Sequence, residues 1–138
     1  MSPAEDAMPE QHADDQPLVL VVEDEVLIRI AAADHLRHCG FRVAEAGTAV
    51  EAQELILSGL KVDLVFSDIT MPGALDGIGL TQWLHEHAPG VPVILTSGVT
   101  SSLEAAKQAC SNIHWMAPKP YDYDVVVTQI RGALSARR

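Results

Sequence analysis

The sequence predicts an α/β domain built as a doubly wound, five-stranded parallel sheet with helices on both faces, and three observations lead there. Short apolar or β-branched runs recur along the chain, segments of helical spacing separate them, and the runs are apolar nearly throughout. Near-continuous apolarity marks strands buried on both faces, and strict alternation with helices makes the sheet parallel. Right-handed crossovers leave few topologies for such a chain.

The elements follow in order. "LVLVV" (18–22) is the first strand, and Ile28, Ala32, Leu36 and Cys39 then share one face of a helix that Gly40 closes. "RVAEA" (42–46) is the second strand. Thr48, with Glu51 three residues on, forms a capping box ahead of "AVEAQELIL". "DLVFS" (63–67) and "PVILT" (92–96) are the third and fourth strands, with a helix over about 78–88 between them. A helix over 101–110 leads to the fifth strand, "IHWMA" (113–117), and Tyr123, Val127, Ile130 and Leu134 line one face of the last helix.

Composition narrows the function classes. A chain of 138 residues with 48% apolar content is of single-domain length and can bury a real core. No apolar stretch approaches the roughly 20 residues of a membrane span, and "MSPAEDAMPE" has neither the basic start nor the apolar run of a signal peptide. A cytoplasmic protein with no membrane partner is expected. Cys39 and Cys110 lack the spacing of a disulfide framework or a zinc site. A net charge of −10 argues against direct nucleic-acid binding. Half of that charge lies in Glu5, Asp6, Glu10, Asp14 and Asp15, with no base among them. Residues 1–16 therefore read as a disordered acidic leader to a domain over 17–138.

In doubly wound sheets, ligand chemistry collects beyond the carboxyl ends of the strands, at the point where the strand order reverses. The informative residues are then Glu23 and Asp24 after the first strand, Asp68 after the third, Ser97 after the fourth and Lys119 after the fifth. In "VDLVFSDITMPG" (62–73) an apolar run ends on Asp68, which alone could be only a turn residue. Three converging carboxylates repel one another, and a divalent cation together with Lys119 would relieve them. Carboxylate oxygens suit a hard ion such as Mg²⁺, and Asp68 then reads as a nucleophile. Glu23 and Asp24 also suit an N-cap and a first-turn acid, Ser97 a loop position and Lys119 a solvated charge. The order and placement of the set favour the joint site. His35, His38 and Cys39 sit close in sequence but on an acidic chain suggest exposure more than metal binding, His85 and His87 face different directions, and Trp83 and Leu84 read as core.

With "VVEDE", "LVFSDITMPGALDG", "PVILTSG" and "PKPY" in this order at strand ends, residues 17 to 136 resemble the receiver domain of two-component response regulators. The resemblance implies a flavodoxin-like (βα)5 fold with strand order 2-1-3-4-5. It implies that Asp68 accepts a phosphoryl group from a phosphohistidine on a sensor histidine kinase or histidine phosphotransfer protein. Asp24, Asp68 and the backbone carbonyl of Thr70 become Mg²⁺ ligands, with Glu23 acting mainly through water. Ser97 and Lys119 each take a phosphoryl oxygen, and Lys119–Pro120 becomes a cis peptide. The domain would be a signalling module that largely catalyses its own modification, not a conventional enzyme. Its output would pass to a protein partner through the face formed by the 101–110 helix, the fifth strand and the last helix, or continue as phosphate relay.

The sequence departs from the common family pattern at four places. Glu stands at position 23, Ser at 97, "MPGALDG" is one residue longer than the usual loop, and Met116 occupies the position of an aromatic switch. Other classes fit less well: a dehalogenase-type phosphatase needs an acid where Thr70 stands, and "EDEV" would repel a flavin phosphate. A phosphorylation-independent adaptor with this fold, or a receiver cut from a hybrid histidine kinase, are the alternatives, beside a stand-alone receiver with no output domain.

Overall fold

The computed structural model describes residues 15–71, 73, 75–97, 112–119 and 121–136. Among them, β1 (Leu18–Val22), β2 (Arg42–Ala46), β3 (Leu64–Asp68), β4 (Val93–Ser97) and β5 (Ile113–Pro118) form one sheet in the order β2-β1-β3-β4-β5. Every neighbouring pair is parallel. The helices among the described residues are α1 (Val26–His38), α2 (Ala49–Leu57), α3 (Gly77–His87) and α4 (Tyr123–Ala136). The helix expected over 101–110 lies outside the described residues, as do Cys110, Pro120 and residues 1–14 of the expected leader.

Strand alternation divides the core into two layers. Leu20, Val22, Val65, Val93 and Leu95 face one way, against Ala49 and Ala52 of α2 and Leu80 and Leu84 of α3. Val19, Val21, Leu64, Phe66 and Ile94 face the other, against Ala32 and Leu36 of α1 and Val126, Val127, Ile130 and Ala133 of α4. Every residue of β1, β3 and β4 is buried, as the apolar runs require. Each such Leu or Val contributes about 1.5–3 kcal/mol, so the layers hold the strand ends firmly enough to carry charged residues there.

The helix ends follow local chemistry. Gly40, at φ +96°, and Gly59, at φ +106°, take the left-handed turn that ends α1 and α2. The Phe41 N–H reaches the Leu36 carbonyl and the Leu60 N–H the Leu55 carbonyl, so orphan carbonyls are met at both ends. At the start of α2 the Thr48 hydroxyl accepts from the Glu51 N–H at 3.0 Å. The Glu51 carboxylate answers to the Gly47 N–H, one residue before the cap.

Three local expectations are corrected. Strands β3 and β4 run one residue later than the apolar pattern indicates, so Asp68 and Ser97 are the last strand residues and not the first loop residues. Asp68 stays in the ladder because it pairs with Thr96 and the next N–H, that of Ile69, bonds to the Thr96 carbonyl. Neither Glu23 nor Asp24 caps α1: the cap residue is Glu25, with no side-chain cap bond, and no acid lies in the first turn. The Glu23 carboxylate turns back to accept the Glu25 N–H at 3.1 Å.

Candidate functional site

The chain passes from β1 outward to β2 and then crosses back over β1 to β3, so the order reverses between β1 and β3. The crevice beyond their carboxyl ends is where the acidic residues meet. Carboxylate oxygens of Glu23, Asp24 and Asp68 lie within 4.8 Å of one another. Glu23 and Asp68 are buried and Asp24 half-buried. Among the described residues this is the one cluster of His, Cys, Asp or Glu dense enough to hold a metal ion. The His35, His38 and Cys39 segment forms no such group: His35 stacks on Tyr123, and His38 is exposed.

Lys119 closes the cluster from the end of β5. Its Nζ donates to Asp68 Oδ2 at 2.8 Å and lies 3.5 Å from Glu23 Oε1. The other Asp68 oxygen, Oδ1, accepts the Thr70 N–H at 3.2 Å. Ser97 is buried at the end of β4, and its carbonyl accepts the Lys119 N–H at 3.0 Å, which ties the two strand ends together. The structure thus brings Glu23, Asp24, Asp68, Thr70, Ser97 and Lys119 to one edge of the sheet. The expected cis bond of Lys119–Pro120 lies outside the described residues.

The electrostatics explain why a cation suits this place. Burial is the largest influence on Glu23 and pushes its carboxyl above the ordinary range. The Glu25 N–H opposes the shift, the Asp68 charge adds to it, and Lys119 opposes it. Partial burial pulls Lys119 down, but the hydrogen bond and charge of Asp68, with those of Glu23, outweigh it and hold the ammonium above its ordinary value. One lysine therefore balances three clustered carboxylates only in part. Oxygen donors in this number and this crowding fit a hard divalent cation.

Three residues of the site were not legible as such in the sequence. Gly77 packs flush on the strand end: a Cβ there would lie 2.8 Å from Ile69 Cα and 2.9 Å from the Asp68 carbonyl carbon. Its N–H also holds the Ile69 carbonyl at 2.9 Å. The signal available was the Asp-Gly pair, where Asp76 caps α3 through the Gly79 N–H at 2.9 Å. Tyr121 meets Phe66 of β3 edge-on, and burial, first among several influences, raises its phenol. It shares with Ile28, Tyr123 and Lys119 a cleft of about 390 Å³ that opens beside the ammonium. Arg29 on α1 donates to the Glu23 carbonyl at 2.9 Å, a contact that only the folded loop creates.

A doubly wound α/β domain with carboxylates and a lysine gathered at its switch point defines a small class of proteins. The chain belongs to the response regulator receiver domain family, whose sequence profile matches residues 19–131. It is 36% identical over 115 residues to the sensor histidine kinase RcsC of Escherichia coli, covering 81% of this chain and 12% of the kinase. It is 33% identical over 127 residues to the C4-dicarboxylate transport transcriptional regulatory protein DctD of Pseudomonas aeruginosa, covering 91% of this chain and 27% of that protein. The chain thus spans only a fraction of the length of these curated relatives. In three dimensions it is similar to a response regulator receiver protein from Sinorhizobium medicae, with a TM-score of 0.81 at 25% identity, over 89% of this chain and 98% of that one.

Proposed function

We propose that Asp68 accepts a phosphoryl group from a phosphohistidine carried by a sensor histidine kinase or a histidine phosphotransfer protein. The observation that carries this reading is the bridge made by Lys119 Nζ, 2.8 Å from Asp68 and 3.5 Å from Glu23, over a buried carboxylate cluster. An Asp68 oxygen attacks phosphorus as the bond from phosphorus to the histidine nitrogen breaks; with the other ring nitrogen protonated, the ring leaves as neutral imidazole and Asp68 becomes an aspartyl phosphate. Lys119, held to Asp68 before reaction, would take an equatorial phosphoryl oxygen. Ser97, buried at the end of the neighbouring strand, would offer its hydroxyl to another. Asp24, Asp68 and the Thr70 carbonyl would hold Mg²⁺, with Glu23 acting through water, and the ion would supply the remaining charge neutralisation. The domain is a signalling module that largely catalyses its own modification, and we place it in the cytoplasm. No helix among the described residues is long and apolar enough to cross a membrane.

A protein donor fits the surroundings. The apolar cleft beside Lys119 opens toward α1, which leaves Val26, Leu27 and Ile30 exposed. Output would pass through β5 and the elements beside it to a protein partner. Met116 packs with the layer that contains Leu95, while Trp115 faces the opposite layer, as strand alternation requires. An unbranched Met could follow the Ser97 hydroxyl where relatives use an aromatic ring. Profiling phosphotransfer from a panel of histidine kinases tests the proposal. At least one kinase should label the wild-type chain rapidly and leave Asp68→Asn unlabelled. Equal labelling of both would refute the assignment.

A further inference from the structure

The Glu23 carbonyl and the Asp24 N–H belong to one peptide plane, and the two carboxylates of the first loop hang from its two ends. That plane is held from the side by Arg29, whose Nη1 donates to the Glu23 carbonyl at 2.9 Å. The guanidinium is in turn anchored on β2, with Nε 3.4 Å from Glu45 Oε1, and Glu45 is steadied by Arg37 at 3.2 Å. Gly47 leaves the space: a Cβ there would stand 3.2 Å from Arg29 Nη1. The Glu23 N–H is fixed independently by the Ala46 carbonyl at 3.0 Å. Both ends of residue 23 are thus tied to the β2 edge of the sheet, one by backbone and one through Arg29.

We propose that Arg29 is a positioning residue for the cation site: by locking the peptide between Glu23 and Asp24 it aims both carboxylates at the metal. The proposal rests on the magnesium reading above and names a residue for it that is neither a ligand nor in contact with the phosphoryl group. A peptide is rigid, so fixing its carbonyl fixes the direction in which the next residue leaves. Mg²⁺ requires near-octahedral ligands and tolerates misaimed oxygens poorly. Two effects of Arg29 have opposite signs, which makes the idea testable. As a bare positive charge near carboxylates it would oppose a cation, and its loss would tighten binding. As a lock its loss would weaken binding. The Glu45 carboxylate, shared with Arg37, offsets part of that charge, and the proposal requires the lock to outweigh the remainder.

The test is the Mg²⁺ dissociation constant, measured by calorimetry at a temperature well below unfolding, for wild type, Arg29→Lys and Arg29→Ala. Lysine keeps the charge but cannot reach the carbonyl and Glu45 together through a planar fork. The expected result is a loss of affinity of about 10-fold or more in both variants, as for other residues that orient metal ligands. Glu45→Asp, which keeps the charge but shortens the anchor of Arg29, should give a smaller loss in the same direction even if Arg29→Ala fails to fold. Unchanged affinity in Arg29→Lys, or tighter binding in Arg29→Ala, would overturn the proposal while leaving the magnesium reading intact. A wild-type chain that binds no Mg²⁺ would overturn both.

Discussion

Replacing Lys119 with alanine should pull metal-free stability and metal affinity in opposite directions. Its Nζ lies 2.8 Å from Asp68 Oδ2 and 3.5 Å from Glu23 Oε1, with the lysine side chain 25% exposed and the carboxylates 7% and 5% exposed. At an effective dielectric of about 20, unit charges at these separations attract by about 5–6 kcal/mol each. Desolvation offsets most of that, and removing one partner of a fully buried pair costs about 3–5 kcal/mol. A quarter-exposed lysine belongs below that range, so Lys119→Ala should destabilise the chain in EDTA by about 2 kcal/mol. Metal binding goes the other way, because a competing cation has left. Two unit charges 4 Å apart in water interact by about 1 kcal/mol, so affinity for Mg²⁺ should rise by at least about 5-fold. Urea unfolding with EDTA and with saturating Mg²⁺, beside a calorimetric titration, reads both quantities. A variant as stable as wild type in EDTA, or one that binds Mg²⁺ more weakly, would refute the reasoning.

Further predictions follow from neighbouring groups. Glu23 is raised from its ordinary value of 4.5, chiefly by burial, so its ionisation opposes folding. The stability it contributes is full below pH 4.5 and is lost as pH rises through the raised value, so Glu23→Gln should stabilise the metal-free chain at neutral pH while weakening Mg²⁺ binding. A destabilised Glu23→Gln in EDTA would contradict this. Gly77→Ala would gain up to about 1 kcal/mol in an unstrained helix, but the crowding against Asp68 and Ile69 should turn that into a loss of about 2–3 kcal/mol and slow phosphorylation; a raised melting temperature would show that the strand end yields. Met116→Ala should leave labelling of Asp68 intact and shrink the change in amide exchange that beryllofluoride, a phosphoryl mimic, induces in β5. An undiminished change would remove Met116 from the output.

What the sequence disclosed and what it hid divide along physical lines. The strands at 18–22 and 42–46 match residue for residue, the first because its apolar run coincides with the stretch that pairs on both sides in the sheet. At β3 and β4 the apolar pattern stops one residue early, since an acid or a hydroxyl at a strand end reads as loop while the ladder still holds it. Helix α3 begins at Gly77, which propensity disfavours and the Asp76 cap with tight packing against β3 imposes. The skip of His114 where β4 meets β5, with Val93 opposite Ile113 and Ile94 opposite Trp115, leaves no mark in the pattern. The candidate site was legible because each of its side chains lies at or just beyond the carboxyl end of a strand, and parallel strands deliver those ends to one edge. Arg29, Gly77 and Tyr121 were not, because their contacts with the site depend on how helices and loops fold back over that edge.

The central claim is that Asp68 is the phosphoryl acceptor. Its most direct test is intact-mass measurement of the chain after incubation with acetyl phosphate and Mg²⁺, on wild type and Asp68→Asn, followed by treatment with acid and with base. The account predicts one added phosphoryl group in the wild type, stable in acid and lost in base, and none in Asp68→Asn or when EDTA replaces Mg²⁺. Undiminished labelling of Asp68→Asn, or an adduct that survives base, would contradict it.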